Sequence, residues 1–337
     1  MRIGILSAGG DCPGINATIR GVGKTAIVKY GMEVLGFTEG FRGLLNKEYI
    51  NMDEKLLSGL LTMGGTILGT SREKPFKKKS TDTIDDKPEE IKKNYKELGL
   101  DALICIGGNG TQKTAHKLAK EGLNIIGIPK TIDNDIYGTD QTFGFDSALT
   151  IATDAIDRLH TTANSHRRVM VIEIMGHTAG WLTLHAGIAG GGDVILVPEI
   201  EYDIYKVAAY LQQRANQGKP FSIVVVAEGI KVEGKQSAAR YIAQEIREIT
   251  GMETRETILG YVQRGGSPTA YDRIFSTNLG AYATDLAYKG IFGKMVALRN
   301  GKITHVDLDE VGGKTRLLTP DDELIVRGRG LGVCFGN

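Results

Sequence analysis

Short apolar runs, each closed by glycine and followed by a helical stretch, recur along most of the chain. This alternation narrows the possible folds more than any other feature. RIGILS leads through AGGDCPG into INATIRGVGKTAIVKYG, and DALICIGG leads into GTQKTAHKLAKEG and then NIIGIP. Further on, RVMVIEIMG precedes TAGWLTLHAGIAGG, DVILVPE, DIYKVAAYLQQRANQG and FSIVVVAEG. DALICI and SIVVVA are apolar at nearly every position rather than at alternate ones, the mark of strands covered on both faces. The sequence therefore predicts an α/β protein with two lobes of mostly parallel sheet and helices on both faces. EVLGF is expected to precede a helix ending at GLLTMGG, with TILGTS as the next strand. FGFDSALTIATDAIDRLHTTANS, near 143 to 165, reads as one unusually long helix.

At 337 residues the chain is comfortable for two domains. Lys plus Arg number 41 and Asp plus Glu 40, a net charge of +1, which argues against a general nucleic-acid binder. No apolar run is long enough to span a membrane, and MRIGILSAGGD reads as a strand and glycine turn rather than a signal peptide. Cys12, Cys105 and Cys334 are odd in number and widely spaced, as suits reduced thiols in a cytoplasm. The six histidines show no metal-ligand spacing. The charged segment from 74 to 98 reads as a solvated loop and exposed helix, the alternative being a polyanion-binding patch. The tail after 313 carries glycines and charges that suit a surface segment.

The chemistry concentrates in PKTIDND, residues 129 to 135, where an apolar run ends in a lysine, a threonine and two aspartates. Two glycine turns precede it, Gly9-Gly10-Asp11-Cys12-Pro13-Gly14 and Gly107-Gly108-Asn109-Gly110-Thr111. Glycines between a strand and a helix let backbone amides approach phosphate oxygens, and the helix N-terminus adds a favourable dipole. Parallel strands present their carboxyl ends on one edge, so all three turns could converge on one crevice. Phosphoryl transfer needs cradled phosphates, a metal held by carboxylates, positive charge and a base for the attacking hydroxyl. Asp133 and Asp135 could divide the base and metal roles, and Arg72 could supply charge. The structural alternative is that Thr131 and Asp133 cap a turn while Lys130 pairs locally.

GGDCPGINATIRG, GGTILGTSR, IGGNGT, PKTIDND, SHRRVMVIEIMG, VVAEG and QRGGSPTAYDR occur in the order and spacing of the 6-phosphofructokinases. The chain resembles that family from residue 1 to about 300, and most resembles the bacterial branch whose members use either ATP or pyrophosphate. The resemblance implies Mg²⁺-assisted phosphorylation of O1 of fructose 6-phosphate. Asp133 would then be the base, Thr131 would contact the moving phosphoryl group, and Asp135 would support the metal. Gly10, Arg72, Glu73, Gly108, Asn109, Gly110 and Thr111 would hold the nucleotide. Arg168, Arg255 and Arg264 would clamp the 6-phosphate, with Arg72 and Arg168 also acting in catalysis. Ile132, Met175, Gly176 and His177 would line the sugar site, and Glu228, as a buried carboxylate, would accept from sugar hydroxyls. The implied lobes are 1 to 144 plus 263 to 312 for the donor, and 145 to 262 plus 313 to 337 for the sugar phosphate. A homotetramer follows by resemblance, with Arg168 and Arg255 reaching a neighbouring subunit's site.

Three departures accompany the match. Asn109 stands where an acidic metal ligand is usual, Tyr261 where a phosphate-binding histidine is usual, and His177 in place of an arginine or a similar residue. Gly110 is the small residue of ATP users, whereas Lys130 is favoured by pyrophosphate users; room at Gly110 decides for ATP. At the implied allosteric site, Arg20, Lys24 and Lys219 are basic, but Glu54, His160 and Gln217 replace further cations, so effector control should be weak or absent. Other readings are a pyrophosphate-dependent enzyme, an NAD or lipid kinase sharing the GGNGT-like turn, and a non-catalytic sugar-phosphate sensor.

Overall fold

The apolar runs become strands whose burial explains their composition: every residue of RIGILSA after the first, and all of ALICIG, VMVIEI and SIVVVA, is buried. In the computed structural model, which describes residues 1–76, 87–234 and 236–337, the strands are β1 (Arg2–Ala8), β2 (Glu33–Phe37), β3 (Tyr49–Met52), β4 (Ala102–Gly107), β5 (Ile125–Pro129), β6 (Val169–Ile174), β7 (Val194–Leu196), β8 (Ser222–Ala227), β9 (Thr254–Ile258), β10 (Lys294–Arg299) and β11 (Lys302–Asp307). The helices are α1 (Ile15–Lys24), α2 (Phe41–Asn46), α3 (Lys87–Glu97), α4 (Asn109–Lys120), α5 (Phe145–His166), α6 (Trp181–Ala189), α7 (Ile204–Asn216), α8 (Ala238–Thr250), α9 (Ala270–Tyr288), α10 (Leu308–Val311) and α11 (Glu323–Gly330).

The chain packs as two units. The first holds Met1–Thr131, Ile136–Asp146 and Arg264–Thr315. Its seven-stranded sheet runs β11-β10-β5-β4-β1-β2-β3, parallel from β10 to β2 with β11 and β3 antiparallel at the edges. From β1 the chain moves on to β2, and from β4 it moves the other way to β5. Right-handed crossovers then place α1 and α4 on opposite faces. α1 lies against α9 at glycine: a Cβ on Gly21 would stand 2.5 Å from the Thr277 carbonyl oxygen, and one on Gly280 2.5 Å from that of Thr18.

The second unit holds Ile132–Asp135, Ser147–Gln263 and Arg316–Asn337. Its sheet is wholly parallel, in the order β7-β8-β6-β9. The connections leave β6 and β8 in opposite directions, so α6 and α8 cover opposite faces. On the α8 face, strand valines and Leu196 pack against Leu211, Ile242 and Ile246. The long helix forms as expected, over Phe145–His166.

Several expectations need correction. No single helix runs on to GLLTMGG: α2 stops at Asn46, Lys47 turns left-handed at φ 58°, the chain returns as β3 alongside β2, and only a 3₁₀ turn, Leu60–Thr62, forms within GLLTMGG. TILGTS is not a strand. Gly65 and Gly69 have φ of 64° and 65°, and the Ile67 N–H donates to the Asn16 side chain at 2.9 Å instead of to a neighbouring strand. The tail lies largely at the surface, as its glycines and charges suggested, but part of it packs down. It forms α11, buries Phe335, and lays Cys334 beside β7, where the Ile195 N–H donates to the Cys334 carbonyl at 2.9 Å. Of the charged stretch from 74 to 98, α3 is helical as read, while residues 77–86 lie outside the described residues. The three cysteines are thiols, two of them buried. No helix among the described residues is long and apolar enough to cross a membrane.

Candidate active site

In the first unit the two glycine turns lie side by side because β1 and β4 are neighbours, with Ala8 paired to Gly107. Their connections diverge here, and such a switch point leaves a crevice at the carboxyl ends of the strands. Gly9 is left-handed at φ 87°; its N–H donates to the Ser71 carbonyl at 3.0 Å, and the Thr70 hydroxyl donates to the Gly9 carbonyl at 2.7 Å. Buried Thr111 ties the start of α4 to β1 by donating to the Ala8 carbonyl at 3.3 Å. Lys130 is also buried, and its ammonium donates to the Gly10 carbonyl. The Arg264 guanidinium lies over the same glycine, 3.0 Å from where a Gly10 Cβ would stand. Gly10, Thr111, Lys130 and Arg264 are thus brought together.

Asn109 and Gly110 are the first two residues of α4, so their N–H groups stand at a helix start, where the dipole favours anions. Asn109 is half-buried, and Gly110 is exposed with nothing within 4 Å of where its Cβ would be. Gly108 caps the helix, 3.5 Å from the Lys130 carbonyl measured from its would-be Cβ. Arg72 is exposed, and its neighbour Glu73 pairs with Lys87 at 2.8 Å. Thr131 is half-buried, with its carbonyl accepting from the Thr142 hydroxyl at 2.7 Å.

In the second unit the carboxyl ends of β6 and β8 carry Met175, Gly176, His177 and Glu228. Gly176 and His177 direct their N–H groups at one carboxylate oxygen, Glu228 Oε1, at 3.2 and 2.8 Å. Glu228 is exposed rather than buried as the sequence suggested, because it follows the last residue of β8 into solvent. The two amides leave Oε2 as the oxygen available for a further partner. The Met175 N–H donates to buried Gln263 at 3.3 Å, which steadies the 3₁₀ turn Gly260–Arg264 that holds Tyr261, itself 73% exposed. The segment Ile132–Asp135 also belongs to this unit. Ile132 and Asn134 are buried, Asp133 and Asp135 half-buried, and Asn134 sits at φ 53°, a conformation few non-glycine residues adopt.

Arg168 and Arg255 lie elsewhere. Arg168 precedes β6, and Arg255, the second residue of β9, pairs with Met170 near the same end. Both guanidinium groups bind Glu253, at 2.9 and 2.7 Å, and the hydrogen bond from Arg168 holds that carboxyl below its usual range. From Arg168 to Met175 the chain runs the full length of β6, roughly 20 Å at the rise of a strand. No side chain spans that distance, so the structure does not bring these two arginines to the Glu228 end of their own sheet.

A family model described as phosphofructokinase matches residues 2–287. The chain belongs to the phosphofructokinase family. An ATP-dependent 6-phosphofructokinase 3 of Bacteroides thetaiotaomicron is 62% identical over 336 residues, covering 100% of both chains. An ATP-dependent 6-phosphofructokinase of Spirochaeta thermophila is 53% identical over 355 residues, covering 99% of this chain and 97% of the relative. The phosphofructokinase structure from Saccharomyces cerevisiae matches with a TM-score of 0.82 at 31% identity, over 92% of this chain and 45% of that longer one. A pyrophosphate-dependent phosphofructokinase from Marinobacter aquaeolei matches with a TM-score of 0.85 over 100% of this chain and 93% of the other, at 22% identity, a likeness of fold alone. For this phosphofructokinase the sequence reading missed Glu253 and Gln263. Glu253 precedes β9, whose exposed TRETI reads as loop, so no strand periodicity marks it as the partner of Arg255.

Proposed function

We propose that the chain is an ATP-dependent 6-phosphofructokinase, transferring the terminal phosphoryl group of ATP to O1 of fructose 6-phosphate to give fructose 1,6-bisphosphate and ADP in glycolysis. The observation that carries this reading is the pair of glycine turns at the β1/β4 switch point, with open space at Gly110 on the first turn of α4. Family membership and full-length relatives named for this reaction support it.

The lobe of 1–144 plus 263–312 binds the donor, with Gly10, Arg72, Glu73, Gly108, Asn109, Gly110 and Thr111 around the nucleotide. Small residues there let the backbone reach phosphate oxygens. Lys130, bonded to the Gly10 carbonyl, braces the turn, which accounts for a lysine in an ATP user.

The lobe of 145–262 plus 313–337 binds fructose 6-phosphate, Glu228 Oε2 accepting a sugar hydroxyl while Met175, Gly176 and His177 line the sugar. Asp133 takes the proton from O1 as the oxygen attacks, and Thr131 steadies the moving group with Arg72. Tyr261 and Arg264 give donors to the 6-phosphate, the forked guanidinium suiting its oxygens.

Among the described residues no cluster of three or more His, Cys, Asp or Glu side chains forms a metal cage. Mg²⁺ needs no such cage, since it keeps several waters and is held through one or two carboxylates and the phosphates of its nucleotide. The family resemblance assigns Asp135 and the Asn109 amide oxygen to it, and bound there it would neutralise charge on the transferring phosphates.

Arg168 and Arg255, set at the far end of β6, serve the sugar site of a second copy. The family resemblance makes the protein a homotetramer with substrate sites shared between subunits, working in the cytoplasm with its thiols reduced. Asp133→Asn tests the mechanism. A general base contributes about 10²- to 10⁴-fold, so kcat should fall by that order while fructose 6-phosphate still binds; a variant within threefold of wild type would remove Asp133 from the reaction.

A further inference from the structure

The tail segment beginning at Arg316 reaches the strand end that carries the two aspartates. The Arg316 N–H donates to the Asp135 carbonyl at 2.8 Å, and its Nη1 donates to the Asn134 carbonyl at 3.1 Å. One residue therefore grips two consecutive peptide groups immediately after Asp133. The guanidinium is itself held: it stacks 3.8 Å over the Trp181 ring, and the Trp181 indole N–H donates back to the Arg316 carbonyl at 3.1 Å. Trp181 is buried at the start of α6, where its conformation is set by the helix. Glu199 closes the arrangement, accepting from the N–H groups of Gly180 at 2.9 Å and Leu318 at 3.1 Å. The peptide so gripped is the left-handed one, Asn134 at φ 53°. A non-glycine residue keeps such a conformation only where its surroundings over-determine it, and such residues gather at functional sites.

We propose that Arg316 is a positioning residue for Asp133, fixing the direction of its carboxylate through the backbone of Asn134 and Asp135, with Trp181 as the platform that aims the guanidinium. A tail that only filled space would bury apolar side chains and would not need a stacked guanidinium on the Asn134 carbonyl beside a backbone bond to Asp135. The proposal rests on the reading of Asp133 as the base.

Hydrogen exchange followed by mass spectrometry on Arg316→Ala tests the anchor without reference to activity. Exchange in the 132–136 amides should accelerate at least tenfold, while β6 and β8 keep their protection. Steady-state kinetics test the consequence. Misplacement of a reacting group by about an ångström costs on the order of 100-fold, so kcat should fall 10- to 100-fold, with KM for fructose 6-phosphate and ATP within threefold of wild type. Arg316→Lys, which keeps a donor but not the fork or the stacking, should recover part of that loss.

Unchanged exchange in 132–136 overturns the anchor, and unchanged kcat with faster exchange overturns its catalytic purpose. Equal losses in KM, kcat and thermal midpoint would mean that the tail merely packs, which also overturns it. Should Arg316→Ala not fold, Arg316→Lys and Trp181→Phe decide, wild-type kcat and exchange in both counting against the proposal. Wild-type protein that failed to turn over fructose 6-phosphate with ATP would sink the functional reading, while the exchange result would still judge the anchor.

Discussion

Replacing Gly110 with aspartate should separate donor choice from folding. The Cβ of the new residue meets nothing within 4 Å, and Gly110 does not lie in the left-handed region, so no clash or backbone strain opposes it. It stands on the first turn of α4, where a carboxylate gains about 0.3–1 kcal/mol from the helix dipole. Leaving glycine inside a helix removes a cost of roughly 0.5–1 kcal/mol relative to alanine. The thermal midpoint should therefore hold or rise. A nucleotide phosphate would meet the carboxylate at about 4 Å, a repulsion of about 1 kcal/mol in water and about 4 kcal/mol at an effective dielectric constant of 20. At about 1.36 kcal/mol per tenfold in rate, kcat/KM for ATP should fall between about 5-fold and 10³-fold. The assay is initial rate against ATP at saturating fructose 6-phosphate, with Gly110→Ala as the uncharged control staying within threefold of wild type. ATP use unchanged in Gly110→Asp, or a loss that follows a drop in thermal midpoint, would refute the reasoning.

Mixing subunits should show the shared site: Arg168→Ala and Asp133→Asn, each inactive alone, should on co-assembly regain about one quarter of wild-type activity, since random pairing across a two-fold interface makes half the pairs mixed with one intact site each; no recovery would confine the site to one chain. His185 donates from Nδ1 to the Trp181 carbonyl at 2.8 Å, and burial pulls its pKa below the usual 6.5. The unfolded chain then binds that proton more readily, so stability should be full above pH 6.5 and decline below it, and His185→Asn should flatten this dependence in thermal melts from pH 8 to 5.5. Gly280→Val should destabilise by more than about 2 kcal/mol in urea, because its Cβ would press on the Thr18 carbonyl oxygen rather than on a side chain able to move. Lys24 is paired with Glu54 at 2.9 Å, so titration with ADP or phosphoenolpyruvate should change the rate less than twofold; strong saturable inhibition would contradict this.

What the sequence disclosed was what local pattern can carry. DALICI and SIVVVA are legible because strands buried on both faces show no alternation, and the glycine turns because a strand-to-helix corner constrains its residues. β9 was missed because TRETI is largely exposed and looks like loop, and the β10–β11 hairpin because antiparallel edges lack the strand-helix rhythm. The helix expected up to GLLTMGG failed at Lys47, where a left-handed residue reverses the chain without glycine to announce it. At the site, residue types were readable but their distribution was not. Glu253 draws Arg168 and Arg255 to one carboxylate, Glu228 stands in solvent, and Arg316 grips peptide groups about 180 residues earlier in the chain. Such long-range pairings depend on topology, which no window of sequence contains.

Initial velocity with fructose 6-phosphate and Mg²⁺, comparing ATP with pyrophosphate over a range of concentrations, tests the central claim most directly. Turnover with a strong preference for ATP is the predicted result, with room at Gly110 setting the donor and Lys130 serving the Gly10 turn. A preference for pyrophosphate would contradict the donor assignment, and binding of fructose 6-phosphate without turnover by either donor would contradict the enzyme itself.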